Sequence, residues 1–133
     1  MPERPLHVVV APDSFKGTFS SVVVAEALAE AGHHVYAGAR KDADLAELDA
    51  IENITAVRLD VTKQDQVDAA VAMIKEKGTG LYALVNNAGV TITAPAEQET
   101  DDGFVRVMDV NVNGTFYCAQ RFGRVMLEAG SGS

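Results

Sequence analysis

Residues 54–89, ITAVRLDVTKQDQVDAAVAMIKEKGTGLYALVNNAG, carry a strand, a helix and a second strand in immediate succession. ITAVRLDV (54–61) and GLYALVNNAG (80–89) are the predicted strands, and the second one runs into a turn. QDQVDAAVAMIKEKG (64–78) has the clearest helical pattern of the chain, because apolar residues recur at i, i+3, i+4 and i+7 and Gly78 follows as a stop signal. These apolar residues are Val67, Ala70, Val71 and Ile74. A unit of this kind predicts two parallel strands joined by a right-handed crossover.

The same alternation continues on both sides of this unit. Upstream, the predicted elements are a strand at LHVVVA (6–11), a helix at SSVVVAEALAEAG (20–32), a strand at HHVYAGA (33–39) and a helix at DADLAELDAI (42–51). Ser20 or Ser21 is expected to cap the first helix. With a further helix at 101–129, the order βαβαβαβα predicts an α/β fold in three layers. The layers form a doubly wound, Rossmann-like parallel sheet of four strands in the order 3-2-1-4, in one domain over residues 1–129 with a tail at 130–133.

The last predicted helix, 101–129, is the longest of the chain. One side carries a stripe that we expect to face the core, formed by Phe104, Met108, Asn111, Thr115, Phe122 and Val125. Further apolar residues spread beyond this stripe, so we expect the helix to bury two faces.

Composition and charge exclude several classes of function. The chain has 133 residues, of which 47% are hydrophobic and 23% are charged, and its net charge is −8. This acidic balance argues against nucleic acid and against an anionic membrane as a partner. There is no signal peptide pattern, and no apolar run approaches the ~20 residues that span a bilayer. The single Cys118 excludes an internal disulfide and is compatible with a reducing compartment, so we expect a cytoplasmic protein.

Four short motifs follow one another in the last three quarters of the chain. They are VYAGAR (35–40), RLDVT (58–62), LVNNAG (84–89) and NVNG (111–114). In this order and at this spacing they make residues 33–133 resemble the N-terminal half of a classical short-chain dehydrogenase/reductase. The resemblance implies a dinucleotide bound at the carboxyl ends of the strands.

The resemblance assigns a cofactor role to Arg40, which follows the second predicted strand. In this family an acidic residue near this point selects NAD, and a basic residue favours NADP through its 2′-phosphate. This chain has Arg40 there and no acid. The resemblance therefore leans to NADP, and the alternative is a solvated arginine at the end of a strand.

Two further motifs match the floor of the cofactor site. Asp60 and Val61 match the "DV" of the adenine side, although an aspartate at the end of a strand also caps the following turn. Asn87, Ala88 and Gly89 match the turn that shapes the cofactor floor and steadies the sheet. For this turn the structural role is the better interpretation even within the family.

Asn111 matches the asparagine of the family's catalytic tetrad. Its expected partners are a serine and a Tyr-x-x-x-Lys motif, and the sequence contains no tyrosine with a lysine four residues later. The tyrosine would be the acid/base, and the lysine would lower its pKa. Without these groups we expect no catalytic activity, and Asn111 is interpreted as a helix residue that hydrogen-bonds to the backbone.

The first part of the chain resembles a different family. VVVAPDSFKGTFS (8–20) is similar to the opening of the glycerate kinases, whereas a reductase would carry a glycine-rich loop here. The loop has one glycine, and Asp13 would repel a phosphate. We favour a plain loop before a capped helix, and the alternative is an anion site at the helix N-terminus. The phosphate contacts of that alternative are Ser14, Lys16, Gly17 and Thr18.

These two resemblances lead to two hypotheses of function. In the first, the chain is an engineered or recombinant chimera, with a kinase-like unit at 1–32 and a reductase-like part at 33–129. It would be a folded scaffold that requires no cofactor and has no enzymatic activity. In the alternative, the chain is a truncated NADP-binding module of a short-chain dehydrogenase/reductase with weak affinity for the cofactor.

The remaining reactive residues are interpreted as structural, and the surface predicts a partner. His33 and His34 point to opposite faces of a strand and cannot chelate one ion together, His7 is alone, and no metal site is expected. Cys118 is interpreted as a packing residue. Residues 81–85 would form an unpaired apolar edge if later strands are missing, so we expect self-association through this edge or through helix 101–129.

Overall fold

The structure is a computed structural model that describes residues 5–11 and 21–133, without the side chain of Ser21. The loop between the first strand and the first helix lies outside the described residues. Four predicted phosphate contacts and the two predicted helix caps belong to this undescribed part: Ser14, Lys16, Gly17 and Thr18, then Ser20 and the hydroxyl of Ser21.

Strands and helices alternate along the chain, as the sequence predicts. The strands are β1 (His7–Val10), β2 (His34–Ala39), β3 (Ile54–Arg58) and β4 (Ala83–Val85). The helices are α1 (Ser21–Glu30), α2 (Asp42–Asp49), α3 (Gln64–Lys77), a 3-10 turn (Ala96–Gln98), α4 (Asp101–Met108), a π-helical segment (Asp109–Gly114) and α5 (Thr115–Ala129). The strands form one parallel sheet in the order β3-β2-β1-β4. The predicted fold class and strand order are confirmed.

β1 lies at the centre of this sheet and is buried on both faces. Its valines pair with β2 on one side and with β4 on the other, and Val8 lies opposite both Val35 and Ala83. Because successive side chains of a strand point to opposite faces, Val9 and Val10 enter different cores. Val9 packs with α3 and α5, and Val10 packs with α1 and α2. An apolar run such as VVV suits this position, since neither face meets water.

The helix predicted over 101–129 is continuous in direction but changes its hydrogen-bonding pattern in the middle. A π-helical segment, Asp109–Gly114, separates α4 from α5. The buried side is formed by Val110, Gly114, Cys118, Phe122 and Val125. The predicted core stripe is therefore wrong for Phe104, Met108, Asn111 and Thr115, of which the first two remain exposed apolar side chains. The wider turn shifts which residues face the sheet, and a pattern read at 3.6 residues per turn misses this shift.

The predicted edge strand is shorter than expected and has a partner in the chain itself. The backbone N–H of Ser133 donates to the carbonyl oxygen of Tyr82 at 2.6 Å, and the N–H of Leu84 donates to the carbonyl oxygen of Ser133 at 3.0 Å. Two such bonds to one residue are the pattern of a parallel ladder. The predicted tail, 130–133, thus ends hydrogen-bonded to the outer side of β4.

One glycine sets how closely the long helix approaches the sheet. A Cβ atom built on Gly114 would lie 2.5 Å from Cγ2 and 3.0 Å from Cβ of Val61. Val61 is buried directly after β3 and cannot withdraw into solvent. The contact therefore requires a residue without a side chain at the C-terminal end of the π-helical segment.

We expect Gly114→Ala to lower the free energy of unfolding by ~1–3 kcal/mol, because the added methyl group overpacks this contact. Gly123→Ala is the matched control. It lies in α5, a Cβ there meets no described atom within 4 Å, and replacing a helical glycine by alanine stabilises by roughly 0.5–1 kcal/mol. Urea denaturation of both variants measures the difference. Equal effects of the two substitutions would contradict the close approach.

Candidate functional site

Most predicted site residues lie at the carboxyl edge of the sheet. Arg40 follows β2, Asp60 and Val61 follow β3, and the Asn87–Gly89 turn follows β4. In parallel sheets with helices on both faces, ligands bind at this edge near the point where the strand order reverses. Here β1 lies between β2 and β4, so the reversal lies beside β1.

Two neighbouring arginines at this edge have different surroundings. Arg58 forms an ion pair with Asp42, and its Nη1 donates to the carbonyl oxygen of Arg40 at 2.8 Å. The guanidinium of Arg40 is exposed and makes no hydrogen bond or ion pair with a described residue. Arg58 therefore links the ends of β2 and β3, whereas no side chain of the described residues engages the guanidinium of Arg40.

Asp60 caps the turn after β3, which is the structural alternative to a cofactor contact that the sequence analysis named. Its Oδ1 accepts from the backbone N–H of Thr62 at 3.0 Å and from the Thr62 hydroxyl at 2.7 Å. Its own N–H donates to Oε1 of Gln66 at 2.7 Å. These bonds fix the carboxylate in place, and its second oxygen keeps its acceptor capacity.

Asn111 holds the segment that follows the Asn87–Gly89 turn. Its Oδ1 accepts from the N–H of Val90 and its Nδ2 donates to the carbonyl oxygen of Val90, both at 2.8 Å. One amide thus satisfies both backbone groups of a residue that has left the sheet. This is the backbone hydrogen-bonding role expected for Asn111, and it ties β4 to the π-helical segment.

Asn87 carries an unpaired polar atom inside this edge. Its Nδ2 is buried, and no hydrogen-bond acceptor among the described residues reaches it. Buried donors are nearly always paired, so an orphan of this kind calls for a ligand, a water or another explanation. Ala88 packs against the core formed with α3 and α5, which matches the structural role predicted for the turn.

A cavity of about 250 Å³ opens between the ends of β2 and β3 and the long helix. Its wall combines two predicted site residues, Arg40 and Asp60, with residues that sequence reasoning missed. The missed residues are Thr62, Asp102, Val105, Arg106, Asp109 and Val110. Asn87, Ala88 and Gly89 lie at the same edge but do not line this cavity.

Arg106 is the most informative of the missed residues. Like Arg40, its guanidinium makes no hydrogen bond or ion pair with a described residue, although three aspartates share the cavity wall. The carboxylate of Asp109 is bonded to Nδ2 of Asn113 at 2.7 Å. A signal for Arg106 existed in the sequence, since the helix after the fourth strand must pass the carboxyl edge. Which face of that helix points there depends on the π-helical segment.

Cys118 belongs to the core and not to the site. It is fully buried among Val9, Leu81 and Phe122. Burial raises the pKa of the thiol to about 11, and Arg121 opposes this shift only in part. The predicted packing role is confirmed by its burial.

Two classes of function find no support in the described part of the chain. No three His, Cys, Asp or Glu side chains of residues 5–11 and 21–133 gather around one point, as a metal with three protein ligands would need. None of the helices in these segments is long and apolar enough to cross a bilayer.

Comparison with known proteins gives a consistent family. The family model described as short chain dehydrogenase matches residues 22–133. Galactitol 2-dehydrogenase from Rhizobium johnstonii is 40% identical over 113 residues, which cover 81% of this chain and 44% of the relative. The chain thus spans less than half the length of this relative.

Solved structures extend the likeness to the part before residue 22. A short-chain dehydrogenase from Streptomyces avermitilis matches with a TM-score of 0.83 at 28% identity, over 99% of this chain and 48% of that one. A gluconate 5-dehydrogenase from Burkholderia cenocepacia, solved in complex with NADP and tartrate, matches with a TM-score of 0.80 at 26% identity. This second match covers 96% of this chain and 51% of the other.

The expectation that the chain is not an enzyme is wrong. The matching family and the similar proteins are dehydrogenases. The expectation rested on the absence of a catalytic serine and a Tyr-x-x-x-Lys from 133 residues, whereas the similar dehydrogenases are about twice as long. The comparisons support the reductase resemblance and lend no support to a glycerate kinase segment or a chimera.

We expect the thiol of Cys118 to be inert in the folded protein, because burial keeps it protonated at neutral pH. A thiol-reactive dye at pH 8 should label it only on the timescale of unfolding, and labelling in urea should be complete within seconds. Gly114→Ala, which weakens the packing of the same helix, should accelerate labelling. Rapid labelling of the native protein would contradict the burial of this side chain.

Proposed function

The chain belongs to the short-chain dehydrogenase family, and we propose that it forms the NADP-binding half of an oxidoreductase. The observation that carries this proposal is the cavity at the carboxyl edge of the sheet, where Arg40 and Arg106 have no ion-pair partner among the described residues. Free guanidinium groups at a nucleotide-binding edge favour a ligand with an additional phosphate. This is the alternative function that the sequence offered, and the comparisons favour it over an unliganded scaffold.

Arg40 is proposed to bind the 2′-phosphate that distinguishes NADP from NAD. A guanidinium presents planar donors that match phosphate oxygens, and such charge-assisted bonds are stronger than neutral ones. Arg58 does not compete for this role, because Asp42 and the Arg40 carbonyl already engage it. The ends of β2 and β3 therefore place two arginines side by side, of which only Arg58 is engaged by a side chain among the described residues.

Asp60, Val61 and the Asn87–Gly89 turn are proposed to surround the nucleoside. The second carboxylate oxygen of Asp60 can accept a hydrogen bond from an exocyclic amine. The Val61 side chain is buried against Gly114, so Val61 would contribute through its backbone. The unpaired Nδ2 of Asn87 offers a donor inside the edge, so these residues fit a ligand rich in acceptors. Contacts from Ser14, Lys16, Gly17 and Thr18 stay predictions, since they fall outside the described residues.

Bound NADP would supply the hydride chemistry, and the residues of this chain would bind and orient the cofactor. Asn111 contributes by fixing Val90 and hence the path of the chain beyond β4. The acid/base chemistry that the resemblance assigns to a serine, a tyrosine and a lysine is not among these 133 residues. We therefore assign cofactor binding to this chain, and dehydrogenation of an alcohol to the whole enzyme.

The chimera remains a hypothesis about origin. Its only support is the APDSFKG motif, which stands where a dehydrogenase would carry a glycine-rich loop. β1 and α1 nevertheless take the places that such a fold requires. Whatever its origin, the segment before residue 22 completes the sheet on which the site depends.

We expect the protein to bind NADPH more tightly than NADH, and Arg40→Ala to remove the preference. Loss of a charge-assisted phosphate contact of ~1.5–3 kcal/mol corresponds to roughly a tenfold to hundredfold weaker NADPH affinity, with NADH unchanged. Isothermal titration calorimetry measures both cofactors.

Arg124→Ala is the matched control, because Arg124 is an exposed arginine on α5. Equal affinities of the wild-type protein for the two cofactors would refute the role of Arg40. No heat with either cofactor would refute the proposed function itself.

We also infer that the chain self-associates through the exposed side of the long helix. Apolar side chains recur there every four residues at Phe104, Met108, Val112 and Phe116, and the two phenylalanines are 59% and 58% exposed. A contiguous apolar patch of this kind marks an interface on a water-soluble surface. The β4 edge is the weaker candidate, because Ser133 already engages it.

The spacing of this stripe favours a second copy of the chain as its occupant. Phe104 and Phe116 are equally far in sequence from residue 110, so two antiparallel helices related by a two-fold axis would place one phenylalanine against the other. An isologous dimer needs a patch that is complementary to itself in this way.

We expect the wild-type protein to sediment as a dimer and Phe116→Asp to sediment as a monomer, since the new charge would be buried against an apolar side chain of the second copy. Leu127→Asp is the control, because Leu127 is 82% exposed and lies outside the stripe. Sedimentation velocity over a range of concentrations separates these outcomes. A wild-type protein that stays monomeric at high concentration would refute the interface.

A further inference from the structure

Two histidines that are distant in sequence meet at the amino edge of the sheet. His7 is the first residue of β1, His34 is the first residue of β2, and the parallel register places them directly opposite each other. The sequence interpretation of His7 as an isolated residue is therefore wrong. Both side chains are partly exposed, at the end of the sheet remote from the cofactor edge.

The distance between the two rings suits a shared metal ion. Their centroids are 5.4 Å apart, and the ring planes are inclined by 39°. Two imidazoles bound to one tetrahedral zinc, with Zn–N bonds of ~2.0–2.1 Å, hold their centroids roughly 5 Å apart. The observed separation of the ring centroids is therefore close to the one that a shared ion requires.

The surroundings of His34 resemble those of a metal ligand. Its Nε2 lies 2.9 Å from the hydroxyl oxygen of Thr55. With the proton on Nε2, the ring donates to Thr55 and the lone pair of Nδ1 is left for a ligand. Histidine ligands commonly use their other nitrogen in such a bond, which fixes tautomer and orientation. The Tyr36 ring packs edge-on against His34 at 5.1 Å and limits its rotation further.

The His7 ring makes no hydrogen bond with any of the described residues. Two titratable groups face the pair, Tyr36 from β2 and Lys77 from the end of α3, and the two histidines face each other.

We propose that His7 and His34 together bind one divalent transition-metal ion of the zinc, nickel or copper class, with water completing its coordination. The described residues supply no third His, Cys, Asp or Glu ligand at this point, so the site is an open one with two protein ligands. Imidazole pairs select these ions over magnesium and calcium, which prefer oxygen. A bound ion would link β1 to β2 at the edge opposite the cofactor.

The test is a titration of the full chain with Zn²⁺ at pH 7.5, followed by calorimetry. We expect one ion per chain, and at least tenfold weaker binding in both His7→Gln and His34→Gln. His33→Gln is the matched control, because His33 neighbours the pair in sequence but its Nδ1 accepts from the N–H of Leu6 at 3.4 Å. Lys77→Gln should bind Zn²⁺ more tightly, since it removes a nearby positive charge.

A second measurement places the ion without relying on variants. Substoichiometric Cu²⁺ should broaden the amide resonances of His7, His34 and Thr55 and leave that of Arg40 sharp. The same broadening with NADPH present separates this site from the proposed cofactor site. Absence of metal binding, broadening elsewhere, or an equal loss of affinity in His33→Gln would overturn the proposal, whether or not NADPH binds.

Discussion

The structure depends on the pairing of β1 with a strand on each side. β1 has four residues, and its valines at 8, 9 and 10 are 4%, 2% and 0% exposed. Hydrogen bonds join β4 to both ends of β1. The N–H of Ala11 donates to the carbonyl oxygen of Val85, and the N–H of Tyr82 donates to the carbonyl oxygen of His7. Loss of these bonds would leave buried polar groups unpaired and would separate the two halves of the site. Everything at either edge of the sheet is positioned through this short strand.

Because the strands are parallel, all their carboxyl ends lie at one edge of the sheet and all their amino ends at the other, and the two edges carry different functional groups. At the carboxyl edge, Arg40 and Asp60 follow neighbouring strands, and Arg106 of the long helix lines the same cavity. At the amino edge, the same register sets His7 opposite His34. The proposed cofactor and metal sites thus share a scaffold and occupy opposite ends of it.

Most of the fold follows from the sequence, and the departures have local physical causes. The α3 boundaries and the stop at Gly78 follow from periodicity, because burial of one helix face imposes that pattern. The strand order was expected from the alternation of strands and helices and the Rossmann-like fold. The face of the long helix was mispredicted, because the π-helical segment changes the angular step per residue. The edge partner Ser133 was unforeseen, because a single bridging residue leaves no pattern in the sequence.

The sequence by itself determined the family, through four motifs in order, and it pointed to Arg40 and Asp60 as neighbours at one edge. Motifs carry this information because each one fixes a local backbone shape. The tertiary structure alone decided which of the two arginines is engaged among the described residues, since Arg58 pairs with Asp42 and Arg40 pairs with none of them. It also decided that Arg106 faces the cavity and that His7 meets His34, because such contacts depend on register and helix rotation, which local sequence does not encode.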